Sequence, residues 1–416
     1  MSDRTPSRFS LLYLSSDKYP PFRVDISVLF GKKLASRGFS IDWLLQSEST
    51  AARPYREEWG GGTAFVGPTD NGTSMAGRAK KHLLDILNDL RMFSLLRKKP
   101  YDALLVRDKF FAALLGILAA KIHGNIFIYW LSYPFPEDWL HHFREGTARY
   151  ALIYFLRGRV CQFLLYRIVL PLAGTVFVQS RQMLEDIAAY GVAREKMTPV
   201  PMGVNLEEIP FFGYDSERDT GGNDEKAIVY LGTLVKTRRM DFLVRMLARV
   251  LEEEKRAKLY LVGGGEDPTD EQLIVDEAKR LGIEERVVIT GFLPQREAWQ
   301  FVKRADVCVS PFFPTPVLNS TSPTKLIEYM AMGKASVAND HPDQSLVLSE
   351  SGAGICVPYE EDAFARAVLD ILLHPETAKE MGIRGRRYVE KKRSYAQLAD
   401  LVQEKLLDVL KRTERP

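Results

Sequence analysis

Apolar positions along this chain follow two alternating periods. Short, nearly continuous apolar runs predict buried strands: FSLLYLSS (9–16), FSIDWLLQ (39–46), ALLVR (103–107), NIFIYWL (125–131) and GTVFVQS (174–180). Stretches with helical spacing lie between them, over 25–38, 79–99, 110–124, 151–170 and 181–191; the first and last stop at Gly38 and Gly191. Residues 51–75 are rich in Gly, Pro, Thr and Ser and read as a long surface loop. Strands and helices in alternation, with short connections, predict a parallel sheet covered on both faces.

A polar, glycine-containing stretch, FFGYDSERDTGGNDEK (211–226), separates this half from a second one with the same pattern. Strands are expected over 227–233, 257–265, 287–293, 307–312 and 334–340. Helices are expected over 240–256, 271–282, 296–305 and 324–333, then over 361–383 and 394–412. The division that follows is an N-terminal α/β domain (1–208), a linker (209–226), a second α/β domain (227–385) and a closing helical segment (386–416).

Composition narrows the class. A chain of 416 residues, 46% hydrophobic and 27% charged, has room for two large α/β domains and is neither disordered nor collagen-like. Three scattered cysteines, Cys161, Cys308 and Cys356, exclude a disulfide framework and fit a reducing, cytoplasmic setting. Six scattered histidines make no metal-ligand spacing, so no metal is expected. Net charge is only +3, which argues against nucleic acid as partner. Charge is uneven, however: positions 1–200 hold 27 basic and 18 acidic residues. A basic N-terminal half suggests an anionic partner, with ordinary variation in solvated charge as the alternative. MSDRTPSRFS has no apolar leader, and no run approaches the roughly 18 apolar residues of a membrane span. Neither a secretory signal nor an integral membrane protein is expected. The aromatic and basic stretch 143–170, with Arg157, Arg159 and Arg167, reads either as a helix lying on a membrane or as a core helix with a basic outer face.

Candidate chemistry collects in four loops of the second half. Ligands of open parallel sheets bind beyond the carboxyl ends of the strands, where these loops fall. In YLGTLVKTRR (230–239), Gly232 and Thr233 permit close backbone approach, and Lys236, Arg238 and Arg239 supply charge for a diphosphate; a solvated basic loop is the alternative. In VGGGED (262–267), Gly263 and Gly264 suit a nucleotide or phosphate but make no complete dinucleotide fingerprint. In ITGFLP (289–294), Gly291, Phe292 and Leu293 could hold a base edge or simply pack a strand end. In NSTSPTKLIEYMAMGK (319–334), Ser322, Pro323 and Thr324 lead into a helix whose free amides, with Lys325, form an anion site. Glu328 stands about one turn further in. It can accept both hydroxyls of a ribose, or it can compensate the helix dipole.

Taken together, YLGTL with K-x-R, LVGGG, ITGFLP and SPTKLIEYMAMGKASVA closely resemble the nucleotide-binding half of the retaining GT-B glycosyltransferases, family 4 in particular. The likeness covers about residues 227–385. It implies two Rossmann-like, doubly wound domains facing a central cleft, with the last helix crossing back to the first domain. A nucleotide-diphosphate sugar, UDP- or GDP-linked, would be held by Glu328 at the ribose, by Lys236 with Arg238 or Arg239 at the diphosphate, and by Lys325 with the 322–324 backbone at phosphate or donor sugar. The acceptor, a glycan or a polyprenyl-linked sugar, would sit on the first domain. No cofactor or metal is implied beyond the co-substrate. Bacterial surface or exopolysaccharide synthesis, at the inner face of the membrane, is the implied setting.

Departures from the family leave two alternatives. The position eight before Glu328, often a second Glu in the family, is Ser320. PPFRVDIS (20–27) replaces the usual Gly-Gly turn, and IYWLSYPFPEDW (128–139) offers Ser132 and Tyr133 where a His is frequent. A catalytically silent partner subunit that still binds nucleotide is one alternative, favoured by Ser320 and opposed by the retention of Lys236, Lys325 and Glu328. A nucleotide-sugar 2-epimerase would share the architecture but needs acid/base groups that the pattern does not reveal. Arg23, Asp25, Arg107 and Asp108 at first-domain strand ends either face the cleft or pair locally, and His141 and His142 read as surface residues.

Overall fold

The computed structural model describes residues 9–50, 53–70, 72, 74–212 and 225–413. Residues 213–224, most of the stretch expected as a linker, and the N-terminal residues 1–8 lie outside that set. The chain divides into two compact units, Met1–Pro201 with Tyr395–Pro416, and Met202–Ser394.

Unit 1 is built on strands β1 (Ser10–Tyr19), β2 (Ser40–Ser47), β3 (Tyr55–Trp59), β4 (Gly62–Gly67), β5 (Ala103–Arg107), β6 (Ile126–Leu131), β7 (Thr175–Val178) and β8 (Met197–Pro199). They lie in the order β3-β4-β2-β1-β5-β6-β7-β8. Every neighbouring pair is parallel except β3 with β4. Runs such as ALLVR and IFIYWL are buried along their whole length, as strands covered on both faces require. One face carries α1 (Asp25–Leu34), which has π-type hydrogen bonding, and α15 (Tyr395–Thr413); Ile26, Leu29 and Phe30 meet Leu398, Val402 and Leu406 there. Arg37 secures α15 through Asp400 at 2.9 Å and the Ala396 carbonyl at 2.8 Å. The other face is covered by α2 (Met75–Lys98), α3 (Phe110–His123), α5 (Ala151–Leu164) and α6 (Arg181–Ala189), with α4 (Phe135–Arg144) packed on α5.

Two readings of the sequence are corrected. Residues 51–75, expected as a loop, contain the β3–β4 hairpin. Gly60 and Gly61, at φ 59° and 87°, form its turn, and Ala64 and Val66 join β4 to β2 in parallel register. The glycines there serve a tight turn rather than a flexible connection. The single helix expected over 361–383 is two, α13 (Glu361–Leu373) and α14 (Pro375–Tyr388). Pro375 supplies no amide and biases His374 away from helical backbone.

Unit 2 holds β9 (Lys226–Leu231), β10 (Ala257–Val262), β11 (Val287–Ile289), β12 (Val307–Ser310), β13 (Ser336–Asn339) and β14 (Gly354–Val357). All are parallel, in the order β11-β10-β9-β12-β13-β14. Direction of winding reverses between β9 and β12, which creates the switch point of a doubly wound sheet. Around it pack α7 (Asp241–Glu253), α8 (Pro268–Leu281), α9 (Gln295–Arg304), the short α10 (Pro316–Asn319), α11 (Thr324–Ala331) and α12 (Pro342–Ser351), followed by α13 and α14. The last strand and α12 had no counterpart in the sequence pattern. No helix among the described residues is long and apolar enough to cross a membrane.

Candidate functional site

The switch point of unit 2, where open parallel sheets take their ligands, lies at the carboxyl ends of β9 and β12, and α11 brings Lys325 there. The ammonium lies 5.3 Å from the ring centroid of Tyr230 on β9 and 5.3 Å from that of Phe312, just past β12. Pro323, extended at the N-cap, leads into α11, and among the described residues no side chain caps the helix. The first amides of such a helix have no intrahelical acceptor, and they lie beside Lys325 at the start of α11.

Gly232 makes the approach of Lys325 possible. Its φ is 151°, and any Cβ there would collide with Lys325 Cε. Gly263, at φ 147° on the next strand end, nests against the Gly232 carbonyl, so the two loops stack without side chains between them. Lys325 makes no hydrogen bond or ion pair with a described residue. Burial, helped by repulsion from Arg238 and opposed by Glu328, lowers its pKa to about 7. Glu328, one turn along α11, keeps part of its surface open and has no described hydrogen-bond partner. Burial raises its carboxyl to about 7, against the pull of Lys325. A cation and a carboxylate held without partners in such surroundings are poised for a ligand carrying both an anion and hydroxyl donors.

The remaining predicted residues separate into those that stay open and those already engaged. Among the described residues the Arg238 guanidinium donates only to the Tyr230 hydroxyl, at 3.5 Å, and that hydroxyl donates in turn to the Thr233 carbonyl at 3.2 Å. Lys236 donates to Thr269 Oγ1 at 2.8 Å on the rim. Arg239, left-handed at φ 52°, pairs with Asp241 at 3.3 Å and lies over Phe313. Amides of the Gly-rich loop are largely taken: Gly265 donates to Glu271, and Glu266 and Asp267 donate to Asp270, each at 3.0 Å. That loop is braced by carboxylates and is not itself an anion nest. Gly264 lies instead under the ring of Phe292, which is 66% exposed and offers a flat face; Gly291 turns the chain there at φ 69°, and Leu293 packs inward.

Ser322 is also engaged. Its hydroxyl accepts from the Met202 amide at 3.0 Å and donates to Asp343 at 2.7 Å, while Asp343 pairs with buried Arg393 at 2.6 Å. This relay anchors the 322–324 segment behind the site. Thr324 opens α11, and Ser320 is buried at the end of α10. Tyr230, Phe312 and the Arg393–Asp343 pair escaped sequence reasoning. Period-two alternation puts Tyr230 on the face of Gly232, which was a usable signal; nothing local marks the other three.

In unit 1 the ambiguous charges pair locally. Arg107 binds Asp25 at 2.8 Å in a buried cluster, Asp108 accepts from the Ser132 amide at 2.8 Å, and Arg23 meets Asp17 at 3.2 Å. Tyr133 donates to Asp138 at 3.0 Å, and His142 lies 2.7 Å from Thr147 Oγ1.

Comparison with known proteins agrees with the two parallel α/β sheets. Residues 225–374 match the family described as Glycosyl transferases group 1, and residues 30–203 match the Glycosyl transferase 4-like domain. The chain is 24% identical over 304 residues to alpha-monoglucosyldiacylglycerol synthase of Streptococcus pneumoniae, covering 71% of this chain and 60% of that protein. It is 25% identical over 195 residues to mannosylfructose-phosphate synthase of Agrobacterium fabrum, covering 43% of this chain and 40% of that one. The chain thus spans less than two thirds of the length of either relative. Among solved structures, sucrose-phosphate synthase of Thermosynechococcus elongatus aligns with a TM-score of 0.73 at 18% identity, over 97% of this chain and all of that one. HepE of Anabaena in complex with UDP-glucose aligns with a TM-score of 0.65 at 14% identity, over 96% and 99%.

Proposed function

This chain belongs to the GT-B glycosyltransferases of the family 4 type, and on that premise we propose that it is a retaining, metal-independent hexosyltransferase using a nucleotide-diphosphate sugar. The observation that carries the reading is Lys325, an unpaired ammonium over the switch point, beside Arg238 and the uncapped start of α11. A diphosphate there gains two cations and free helix amides. The same groups stabilise the charge that develops on the leaving phosphate. Glu328 accepts the two ribose hydroxyls, and the exposed face of Phe292 over Gly264 offers the base a platform. Lys236 stands at the rim, able to exchange Thr269 for phosphate. Attack comes from the face the diphosphate leaves, and that phosphate takes the acceptor proton, so no protein nucleophile is needed.

UDP is the favoured carrier, in keeping with the UDP-glucose complex of the structurally similar HepE. The acceptor is a glycan or a lipid-linked molecule, as in the relative named for a glucosyldiacylglycerol product. With a lipid acceptor the enzyme works at a membrane surface, through the stretch 143–170, in bacterial envelope or exopolysaccharide synthesis.

The test is release of UDP from UDP-glucose with and without glycan and glycolipid acceptors, for the wild type and Lys325→Ala. Acceptor-dependent release that falls about 10²-fold or more in the variant is expected. Wild-type turnover by Lys325→Ala would overturn the site. UDP binding with no turnover on any acceptor would favour the silent partner subunit, for which Ser320 is the specific feature.

A further inference from the structure

One face of unit 1 is apolar where a solvated helix surface is ordinarily charged. α5 buries a narrow stripe through Gly158, Cys161 and Gln162 and turns Leu152, Ile153, Leu156, Val160 and Phe163 outward. Its seating is fixed by close contact with α4: a Cβ on Gly158 would stand 2.7 Å from Leu140 Cγ. The outward face is therefore the register of a well-packed helix, not a misplaced core face. α2 shows a second exposed stripe, Leu83, Ile86, Leu87 and Leu90, at the i, i+3, i+4, i+7 spacing of one helix side. α3 adds Phe111, Leu118 and Ile122. All three helices bury their inner sides in one cluster, through Met92, Ala113 and Cys161, so they cover the same face of the sheet. Single exposed apolar residues are ordinary; three such stripes, on helices covering one face of the sheet, mark an interaction surface.

Charge identifies the occupant. Between Glu145 and Glu185 there is no acidic residue, and five arginines, Arg149, Arg157, Arg159, Arg167 and Arg181, fall in that stretch. α2 opens with exposed Arg78, Lys80 and Lys81. The acidic residues of α2 are turned away from the stripe: Asp85 and Asp89 are held by buried Lys109 at 2.6 and 2.5 Å. A second copy of this face would set arginine against arginine, whereas an anionic lipid leaflet matches both its apolar and its basic parts.

We propose that α2, α3 and α5 together form a membrane-docking surface that lays unit 1 on an anionic leaflet, with the three apolar stripes at the acyl boundary and the flanking arginines and lysines among the headgroups. This deepens the lipid-acceptor reading above and enlarges the contact from 143–170 to three helices. Docking needs no turnover, so it can be tested apart from that reading.

The experiment is co-sedimentation of the full chain with phosphatidylcholine vesicles, with and without about 30 mol% phosphatidylglycerol, at low and high salt. Binding to the anionic vesicles is expected, about tenfold or more weaker without phosphatidylglycerol or at high salt. Leu152→Ser/Leu156→Ser/Phe163→Ser and Leu83→Ser/Leu87→Ser should each lower binding about tenfold, with unchanged thermal melting and unchanged UDP-glucose binding. Leu373→Ser, an exposed apolar position of unit 2, should bind vesicles like the wild type. Absence of wild-type binding, or wild-type binding by both sets of variants, would overturn the proposal. So would a wild-type dimer, seen by light scattering, that the variants convert to monomer without any vesicle binding. Anionic-vesicle binding by a wild type that does not bind UDP-glucose would support the docking surface and count against the donor site alone.

Discussion

Lys325 reaches the end of β9 only because position 232 has no side chain. Its aliphatic stem crosses Gly232, and the ammonium emerges between Tyr230 and Phe312. Gly232→Ala would introduce both a strained backbone, at φ 151°, and a collision with Lys325. The expected result is a loss of about tenfold or more in kcat/KM for the donor, with a fall in Tm of a few degrees. An unchanged KM would mean that Lys325 has another route to its ligand.

Protonation of the site should be visible in donor affinity. A sugar diphosphate favours charged Lys325 and ionised Glu328. Lys325 has a lowered pKa, about 7, so above pH 7 donor binding must take up a proton and weakens. Glu328 has a raised pKa, also about 7, so below pH 7 binding must release one and weakens again. UDP-glucose affinity, by calorimetry, should peak near pH 7 and fall on each side by up to about tenfold per unit. Lys325→Arg keeps a charge that does not titrate, and it should flatten the alkaline limb alone.

Glu328 makes a separate claim about ribose. Glu328→Ala should weaken UDP much more than 2′-deoxy-UDP, so that wild-type discrimination of about tenfold or more disappears. Equal losses for both nucleotides, in binding measurements, would show that the carboxylate acts through Lys325 and not on the hydroxyls.

Behind the site, Arg393 and Asp343 form a buried pair that also fixes Ser322. Removing one partner leaves an uncompensated buried charge, so Arg393→Ala should cost about 3–5 kcal/mol in unfolding experiments. Arg393→Met/Asp343→Leu should recover part of that stability while donor KM stays raised, because the Ser322 anchor is still missing. Full recovery of KM would remove the pair from any part in positioning the 322–324 segment.

Much of this was legible locally. Parallel α/β architecture followed from fully apolar strands between helical stretches, and the hairpin at 55–67 was missed because its glycines look alike in a loop and in a turn. Pro375 was a readable break within an otherwise continuous helical pattern. The family resemblance rested on the block that runs through α11, where the free helix start, Lys325 and Glu328 are encoded within a few residues.

The sequence by itself determined the period of most strands and helices and the register of α11, which places Lys325 and Glu328 about one turn apart, because backbone hydrogen bonding and helix geometry are set by near neighbours. Only the tertiary structure decided which charges remain available. Asp241 claims Arg239, Thr269 holds Lys236, and Asp270 and Glu271 occupy the amides of the Gly-rich loop, whereas Lys325 and Glu328 keep theirs unspent. Polar groups choose partners among whatever the packed strand ends bring within reach: Thr269 is 33 residues from Lys236, whereas Asp241, Asp270 and Glu271 stand close in sequence to the groups they hold. That choice, made at the switch point between β9 and β12, is what distinguishes a binding cation from a structural one.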